Sequence, residues 1–405
     1  MMEVVSIISA LRRSKVAALL ISLQVAVTLA VVSNALYIAL QQIEHMSRPS
    51  GIDEEGIVSF ENIWTGGMDT EIKARLQTDL AALRSLPGVR DAYATDGLPL
   101  RGGGYSSAFS RRPGERPGVP SALYPVDEHG LRTLGLRLIE GRGFNSGDIL
   151  DWNGEQDSPD HAPVAVVTRA LAASLFPEGA ALGKVAYIDK NPVTIIGVVE
   201  RMQAQAAYGH DESIENAALV PYLWTEPSSL YVIRAFPGQR DAVLQAAQRK
   251  LFQISRTRAI TRQQSFVETR AEAYRPFRAT ALILSCVSAV LLLITGLGVV
   301  GLTSFWVAQR RRHIGIRRAL GARRIDILRY FHTENLFLVG AGAAVGFVLT
   351  MGANAFIVRQ FEMSRLPVSF VVAGVVIVLC LGQLSVLWPA LRAAGVSPAT
   401  AARAL

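Results

Sequence analysis

Residue types that commonly carry catalysis or bind metal ions occur in this sequence, but their spacing does not assemble a reaction centre. A local acidic cluster is interrupted by Asn, Gly, Ser and Pro, which is typical of a solvated loop and not of a calcium site with ordered oxygen ligands. Its members are Asp148, Asp151, Glu155, Asp157 and Asp160. The six histidines include no pair at zinc-ligand spacing. We therefore expect no catalytic residues, no metal site and no cofactor bound by this chain.

One glycine-containing segment resembles a phosphate-binding loop but lacks two of its parts. Residues 179–184 read GAALGK, so three residues instead of four separate the glycines, and Val185 stands where a P-loop has Ser or Thr. In a P-loop, backbone N–H groups hold the phosphate and the hydroxyl binds magnesium. The segment therefore does not match a P-loop, and we expect no ATP site in it.

The composition indicates a membrane protein with a substantial water-exposed part. Half of the 405 residues are hydrophobic, 18% are charged, and the mean hydropathy is +0.29. The net charge of +8 does not indicate a nucleic-acid partner, because the basic residues are not interleaved with aromatic stacking residues. Cys286 and Cys380 both lie in apolar segments, so the soluble part has no disulfide framework.

Four apolar segments are long enough to cross a bilayer, which needs roughly 20 residues as a helix. We predict transmembrane helices at residues 16–40, 280–307, 336–358 and 367–389. A cleaved signal peptide is the alternative for the first segment, but its apolar run is longer than a signal peptide needs.

Positive charge predicts the orientation, because Arg and Lys accumulate in short cytoplasmic segments. Basic residues are frequent in residues 1–15, 308–335 and 390–405, which we therefore place in the cytoplasm. Residues 41–279 and the short loop 359–366 then face outward. These assignments describe a multi-pass membrane protein with both termini in the cytoplasm.

The outward-facing segment has the alternating pattern of an α+β domain. Strands are predicted at Gly56–Asn62 and Val89–Thr95 around a helix beginning near Ile72, and again at Leu230–Ala235 and Gln264–Val267 around a helix from Arg240 to Phe252. These two pieces flank an inserted unit, residues 121–225, with strands at Val164–Thr168 and Val193–Val199. Residues 98–120 are rich in Gly, Pro and Ser and are predicted to be a flexible connection.

Small and polar residues within the apolar segments mark positions where helices approach closely. They are Gln24, Asn34, Gly296, Gly298 and Gly301. Ordinary helix packing inside one chain and an interface between two subunits explain them equally well.

Residues 296–322 read GLGVVGLTSFWVAQRRRHIGIRRALGA, and on this motif the sequence resembles the MacB/FtsX-type ABC permease family. Further similar segments are LGLRLIEGRGF at 134–144 and PALRAAGVSPATAARAL at 389–405. His313 departs from the family pattern, which has glutamate before Ile-Gly-Ile.

The resemblance implies an α-helical membrane protein with four transmembrane helices and a large α+β periplasmic domain inserted between helices 1 and 2. It implies porter-like pieces at residues 50–97 and 228–270 and a sabre-like insertion at 121–225. It also implies a place in the bacterial inner membrane, with the outward-facing segments in the periplasm. ATP and Mg²⁺ would then bind a separate partner ATPase, with this chain as a non-catalytic subunit, and the loop after the second transmembrane helix would contact that ATPase. The residues concerned are Arg310, His313, Ile314, Gly315, Ile316, Arg317, Arg318, Ala319, Leu320, Gly321 and Ala322.

Three functions follow from the resemblance. The first is an export permease working by mechanotransmission, with an ABC ATPase in trans, a second permease as homodimer or paralogous heterodimer, and a periplasmic adaptor with an outer-membrane channel. The second is a lipoprotein-releasing permease, and the third is FtsX-like signalling to a periplasmic enzyme or sensor. The insertion favours the first over the third.

Overall fold

A computed structural model describes residues 15–66, 71–151, 161–205, 213–310, 314–316, 321–361 and 365–395. The chain divides into two compact units. Unit 1 consists of residues 1–47 and 276–405, and unit 2 consists of residues 48–275.

The first described element is helix α1 (Lys15–Ser47), which belongs to unit 1. Its 33 residues span about 50 Å at 1.5 Å per residue, more than the hydrocarbon core of a bilayer requires. The predicted span 16–40 therefore lies within a longer helix, because no Pro or Gly follows it before Ser47.

Unit 2 contains a four-stranded antiparallel sheet whose strands come from both ends of its sequence. The strands β1 (Ile57–Trp64) and β2 (Val89–Thr95) precede the insertion, and β12 (Ser228–Ala235) and β13 (Arg258–Ser265) follow it. Their order is β13-β1-β12-β2. The helices α2 (Ile72–Arg84) and α5 (Arg240–Ile254) pack on this sheet, because the apolar residues of each recur on one helix face.

Between β2 and β12, the described part of unit 2 contains nine strands and two short α-helices. They are β3 (Tyr105–Ser110), β4 (Val119–Pro125), α3 (Gly130–Leu134), β5 (Leu138–Gly141), β6 (Leu150–Asp151), β7 (Val164–Thr168), α4 (Arg169–Leu175), β8 (Val185–Ile188), β9 (Asn191–Val199), β10 (Ala217–Val220) and β11 (Tyr222–Leu223). Seven of these strands form a sheet in the order β5-β9-β7-β10-β4-β3-β8, with β8 also paired to β9, so that six strands close into a ring. Strands β6 and β11 form a separate parallel pair.

Helix α6 (Phe266–Ala273) closes unit 2, and three long helices complete unit 1. These are α7 (Arg275–Gln309), α8 (Arg324–Phe361) and α9 (Val368–Ala394). Together with α1 they are the four described helices that are long and apolar enough to cross a membrane.

Three predictions differ from the structure. Residues 98–120 are not a continuous flexible connection: they contain β3 and the start of β4, so the seven-stranded sheet begins before residue 121. The strand predicted at Gln264–Val267 is wrong in its second half, because Ser265 caps α6 by accepting from Glu268 N. The third transmembrane helix, predicted at residues 336–358, lies within the longer helix α8, since no Gly or Pro occurs between Arg324 and Gly340.

Candidate coupling site at the end of helix α7

A buried ion pair joins the end of α7 to the first turns of α8. Arg310 Nη1 donates to both carboxylate oxygens of Glu334, at 3.1 and 3.0 Å, and to the hydroxyl of Tyr330 at 3.2 Å. The Glu334 side chain is 2% exposed and that of Arg310 is 24% exposed. A carboxylate buried to this extent needs a cation or several donors, so the pair fixes the position of Arg310.

Aromatic and aliphatic side chains surround this ion pair. The Arg310 guanidinium lies 5.9 Å from the ring centroid of Trp306, one turn earlier on α7. Ile314 is buried in one apolar cluster with Ile327 and Phe331 of α8 and with the end of α9. The residues that follow α7 are therefore held against α8 by apolar packing as well as by charge.

Ile316, two residues after the buried Ile314, is 50% exposed. Ile325, in the first turn of α8, is 56% exposed. An apolar side chain that stays outside the packed cluster is available to another surface, whereas Ile314 is not.

Gly321 lies at the turn that precedes α8. Its φ of +97° is a conformation that glycine adopts without strain, and nothing lies within 4 Å of where a Cβ would be. Arg323 N then donates to Asp326 Oδ2 at 2.8 Å, which satisfies a free backbone donor at the start of α8.

The structure describes six of the eleven predicted ATPase-contact residues: Arg310, Ile314, Gly315, Ile316, Gly321 and Ala322. The other five lie outside the described residues: His313, Arg317, Arg318, Ala319 and Leu320. Sequence reasoning missed Glu334 and Tyr330. An available signal was an acidic residue in a predominantly apolar helix, which requires a partner.

Four of the five small or polar residues predicted to lie at a helix or subunit interface have neighbours within unit 1. A Cβ on Gly298 would lie 2.8 Å from Gln24 Oε1, and one on Gly296 would lie 3.3 Å from Ser385 Oγ. Asn34 Nδ2 donates to Ala30 O at 2.9 Å, and Asn34 Oδ1 accepts from Asn354 Nδ2 at 3.4 Å. Nothing lies within 4 Å of a Cβ on Gly301.

Two family models match the chain. Residues 285–398, which include this site, match the FtsX-like permease C-terminal model. Residues 17–251, more than half of the chain, match the MacB-like periplasmic core domain. The chain belongs to the MacB/FtsX family of ABC transporter permeases.

Curated relatives of this permease are named as exporters. The chain is 28% identical over 336 residues to the macrolide export ATP-binding/permease protein MacB of Chromobacterium violaceum, covering 77% of this chain and 49% of that protein. It is 30% identical over 345 residues to the pyoverdine export ATP-binding/permease protein PvdT of Pseudomonas savastanoi pv. phaseolicola, covering 80% and 47%. The permease thus spans about half the length of these relatives.

Among solved structures, the periplasmic region of MacB from Actinobacillus actinomycetemcomitans matches with a TM-score of 0.31 and 16% identity, covering 54% of this chain and 93% of that chain. The family models and the four apolar helices together identify a membrane protein with a MacB-like periplasmic-type domain.

Proposed function

We propose that this permease couples ATP hydrolysis by a separate ATPase chain to movement of unit 2, and thereby exports a substrate from the periplasm. The observation that carries the proposal is the Arg310–Glu334 pair, because it ties the end of α7, next to the exposed Ile316, to α8. The relatives are named as exporters, of a macrolide and of pyoverdine, which supports export as the function.

A path for motion through unit 1 supports the same proposal. A displacement of residues 314–316 moves α8, because Ile314 packs on Ile327 and Phe331. Helix α8 lies closely against α1, since a Cβ on Gly342 or Gly346 would come within 2.6 or 2.9 Å of backbone oxygens of α1. Helix α1 leads directly into unit 2 along the chain.

We also propose the location of the permease in the cell and its partners. The permease lies in the bacterial inner membrane with both termini cytoplasmic and with residues 41–279 in the periplasm. It binds no cofactor and no nucleic acid itself, since ATP and Mg²⁺ belong to the partner ATPase. It pairs with a second permease, identical or paralogous, and works with a periplasmic adaptor and an outer-membrane channel.

Replacement of Ile316 with Asp tests the contact with the ATPase. Because Ile316 is exposed, the change leaves the fold of the permease intact, but it places a charge in a contact that excludes water. We expect binding of the partner ABC ATPase to weaken about tenfold or more, with a matching loss of export from reconstituted vesicles.

The matched control is Ile254→Asp, because Ile254 is an exposed isoleucine at the end of α5 in unit 2. It should retain ATPase binding and export, measured by co-purification and vesicle transport. Full ATPase binding and export by Ile316→Asp would contradict the coupling assignment.

A further inference from the structure

Unit 1 contains a cleft of about 250 Å³ between α1, α7 and α9. Its lining is almost entirely apolar and includes Leu29, Leu36, Ile43, Ser285, Phe370 and Val378. Leu40, Ile43 and Ile377, which also line it, remain about half exposed, so the cleft is open to its surroundings along these residues. An apolar cleft between membrane-spanning helices is in contact with lipid, and not with water.

The cleft is closed at the level where the three helices meet. Thr28 Oγ1, next to the lining residue Leu29, lies 2.7 Å from Thr295 Oγ1 of α7. One residue further along α7, a Cβ on Gly296 would lie 3.6 Å from Leu381 of α9. These contacts form the floor of the cleft.

The depth of the cleft fits one leaflet of a bilayer. The lining residues of α1 extend from Leu29 to Ile43, about 21 Å along the helix, and those of α9 extend from Phe370 to Val378, about 12 Å. Half of the hydrocarbon core measures about 15 Å, between these two values. One acyl chain therefore reaches from the open end of the cleft to its floor.

Positive charge dominates the open end. Arg278 lies seven residues before the lining residue Ser285, and residues at this spacing share one helix face. Arg365 lies just before α9, and its backbone oxygen accepts from the hydroxyl of Tyr37, whose ring contacts the lining residue Phe370 at 5.4 Å. Both arginines are exposed, and Glu44 is the acid on the described part of unit 1 at this end. This charge is complementary to a lipid phosphate.

We infer that the cleft binds one acyl chain of an anionic phospholipid of the bilayer, with the lipid phosphate on Arg278 and Arg365. The inference requires the four helices to span a bilayer, but it does not depend on the proposed ATPase coupling. The bound chain fills the space that α7 leaves beside α1 and α9, so the lipid is part of the packed structure of unit 1.

The test uses the full permease, purified in detergent and depleted of lipid. It is titrated with dioleoylphosphatidylglycerol or with dioleoylphosphatidylcholine, and native mass spectrometry counts the bound lipids. Ala373→Trp fills the cleft from its open side, because Ala373 is an exposed lining residue. We expect this variant to retain one phosphatidylglycerol fewer than the unchanged chain. Val372→Trp, at an exposed neighbour outside the lining, should match the unchanged chain.

The charge contact is tested with Arg278→Gln combined with Arg365→Gln. We expect this variant to bind phosphatidylglycerol about tenfold more weakly and to lose its preference over phosphatidylcholine. Equal retention of phosphatidylglycerol by Ala373→Trp and Val372→Trp would overturn the acyl-chain site. Conversion of a dimer to a monomer by Ala373→Trp, with no change in bound lipid, would instead assign the cleft to a second copy of the chain.

Discussion

Arg310 and Glu334 show how two side chains set the geometry of a helix junction. Arg310→Ala leaves the Glu334 carboxylate buried without its cation, so we expect the free energy of unfolding to fall by about 3 kcal/mol. Arg310→Met combined with Glu334→Leu removes both charges and should recover most of this loss. Thermal unfolding of the variants in one detergent measures the effect. Equal destabilisation of the single and double variants would show that the two residues do not interact.

Asp96 in unit 2 makes the free energy of unfolding depend on pH. Burial raises the pKa of this carboxyl from 3.8 to about 6, although hydrogen bonds, such as the one from Thr95, lower it. The folded state therefore binds the proton more tightly than the unfolded state, and the free energy of unfolding falls as pH rises from about 4 to about 6. Asp96→Asn should be more stable than the unchanged chain by about 1–3 kcal/mol at pH 7.5, with no difference below pH 4.

Denaturation of the full chain across this pH range measures the Asp96 effect. Asp148→Asn is the control of opposite sign, because a hydrogen bond from Arg142 lowers the pKa of Asp148. Above pH 4, Asp148→Asn should be less stable than the unchanged chain, whereas Asp96→Asn should be more stable. A constant difference between Asp96→Asn and the unchanged chain at every pH would contradict the assignment.

Individual helices and strands were predicted well where their pattern is local. The bounds of β2 and β7 agree with the prediction, because local signals end both strands: Asp96-Gly97 follows β2, and Thr168 at the end of β7 caps the next helix. Strand β3 was missed, because four of its six residues are Ser or Ala and the strand follows three glycines. Its pairing with β4, from Tyr105 opposite Leu123 to Phe109 opposite Val119, depends on tertiary structure and leaves no local signal.

In the coupling site, too, a local motif could be predicted from the sequence and a contact between helices could not. The motif after α7 was recognisable, but its partner on α8 was not, since that partner depends on how two helices meet. The pairing of α8 with α1 is similar, because only the structure distinguishes glycines at a helix contact from glycines facing outward. A Cβ on Gly342 would lie against the backbone of Ser22, whereas a Cβ on Gly340 would meet no other helix within 4 Å.

Gly342→Val tests the contact between α1 and α8. A Cβ at this position would lie 2.6 Å from the backbone oxygen of Ser22, so the helices must separate. We expect the free energy of unfolding to fall by about 1–3 kcal/mol. Gly340→Val carries the same change on the same helix where the space is open, and thermal unfolding should show a much smaller loss. Similar losses in both variants would indicate an effect of helix propensity and not of packing.

At the scale of the whole molecule, the sequence predicts both the number of membrane-spanning helices and their orientation. Hydropathy identifies four helices, and the structure contains four that meet the requirements of length and composition. The orientation rests on charge, because the basic residues of the segments before α1, after α7 and after α9 outnumber those of the loop between α8 and α9.

Labelling of single cysteines in spheroplasts tests this orientation. Cys286 and Cys380 are first replaced with Ala, and Ser228 or Arg323 is then replaced with Cys, because both positions are exposed and lie in units 2 and 1 respectively. A membrane-impermeant maleimide should label Ser228→Cys in intact spheroplasts, because residues 41–279 are expected in the periplasm. Arg323→Cys should react only after permeabilisation, since the Arg-rich segment after α7 is expected in the cytoplasm. Labelling of Arg323→Cys in intact spheroplasts would reverse the orientation and remove the exposed Ile316 from the side where ATP is available.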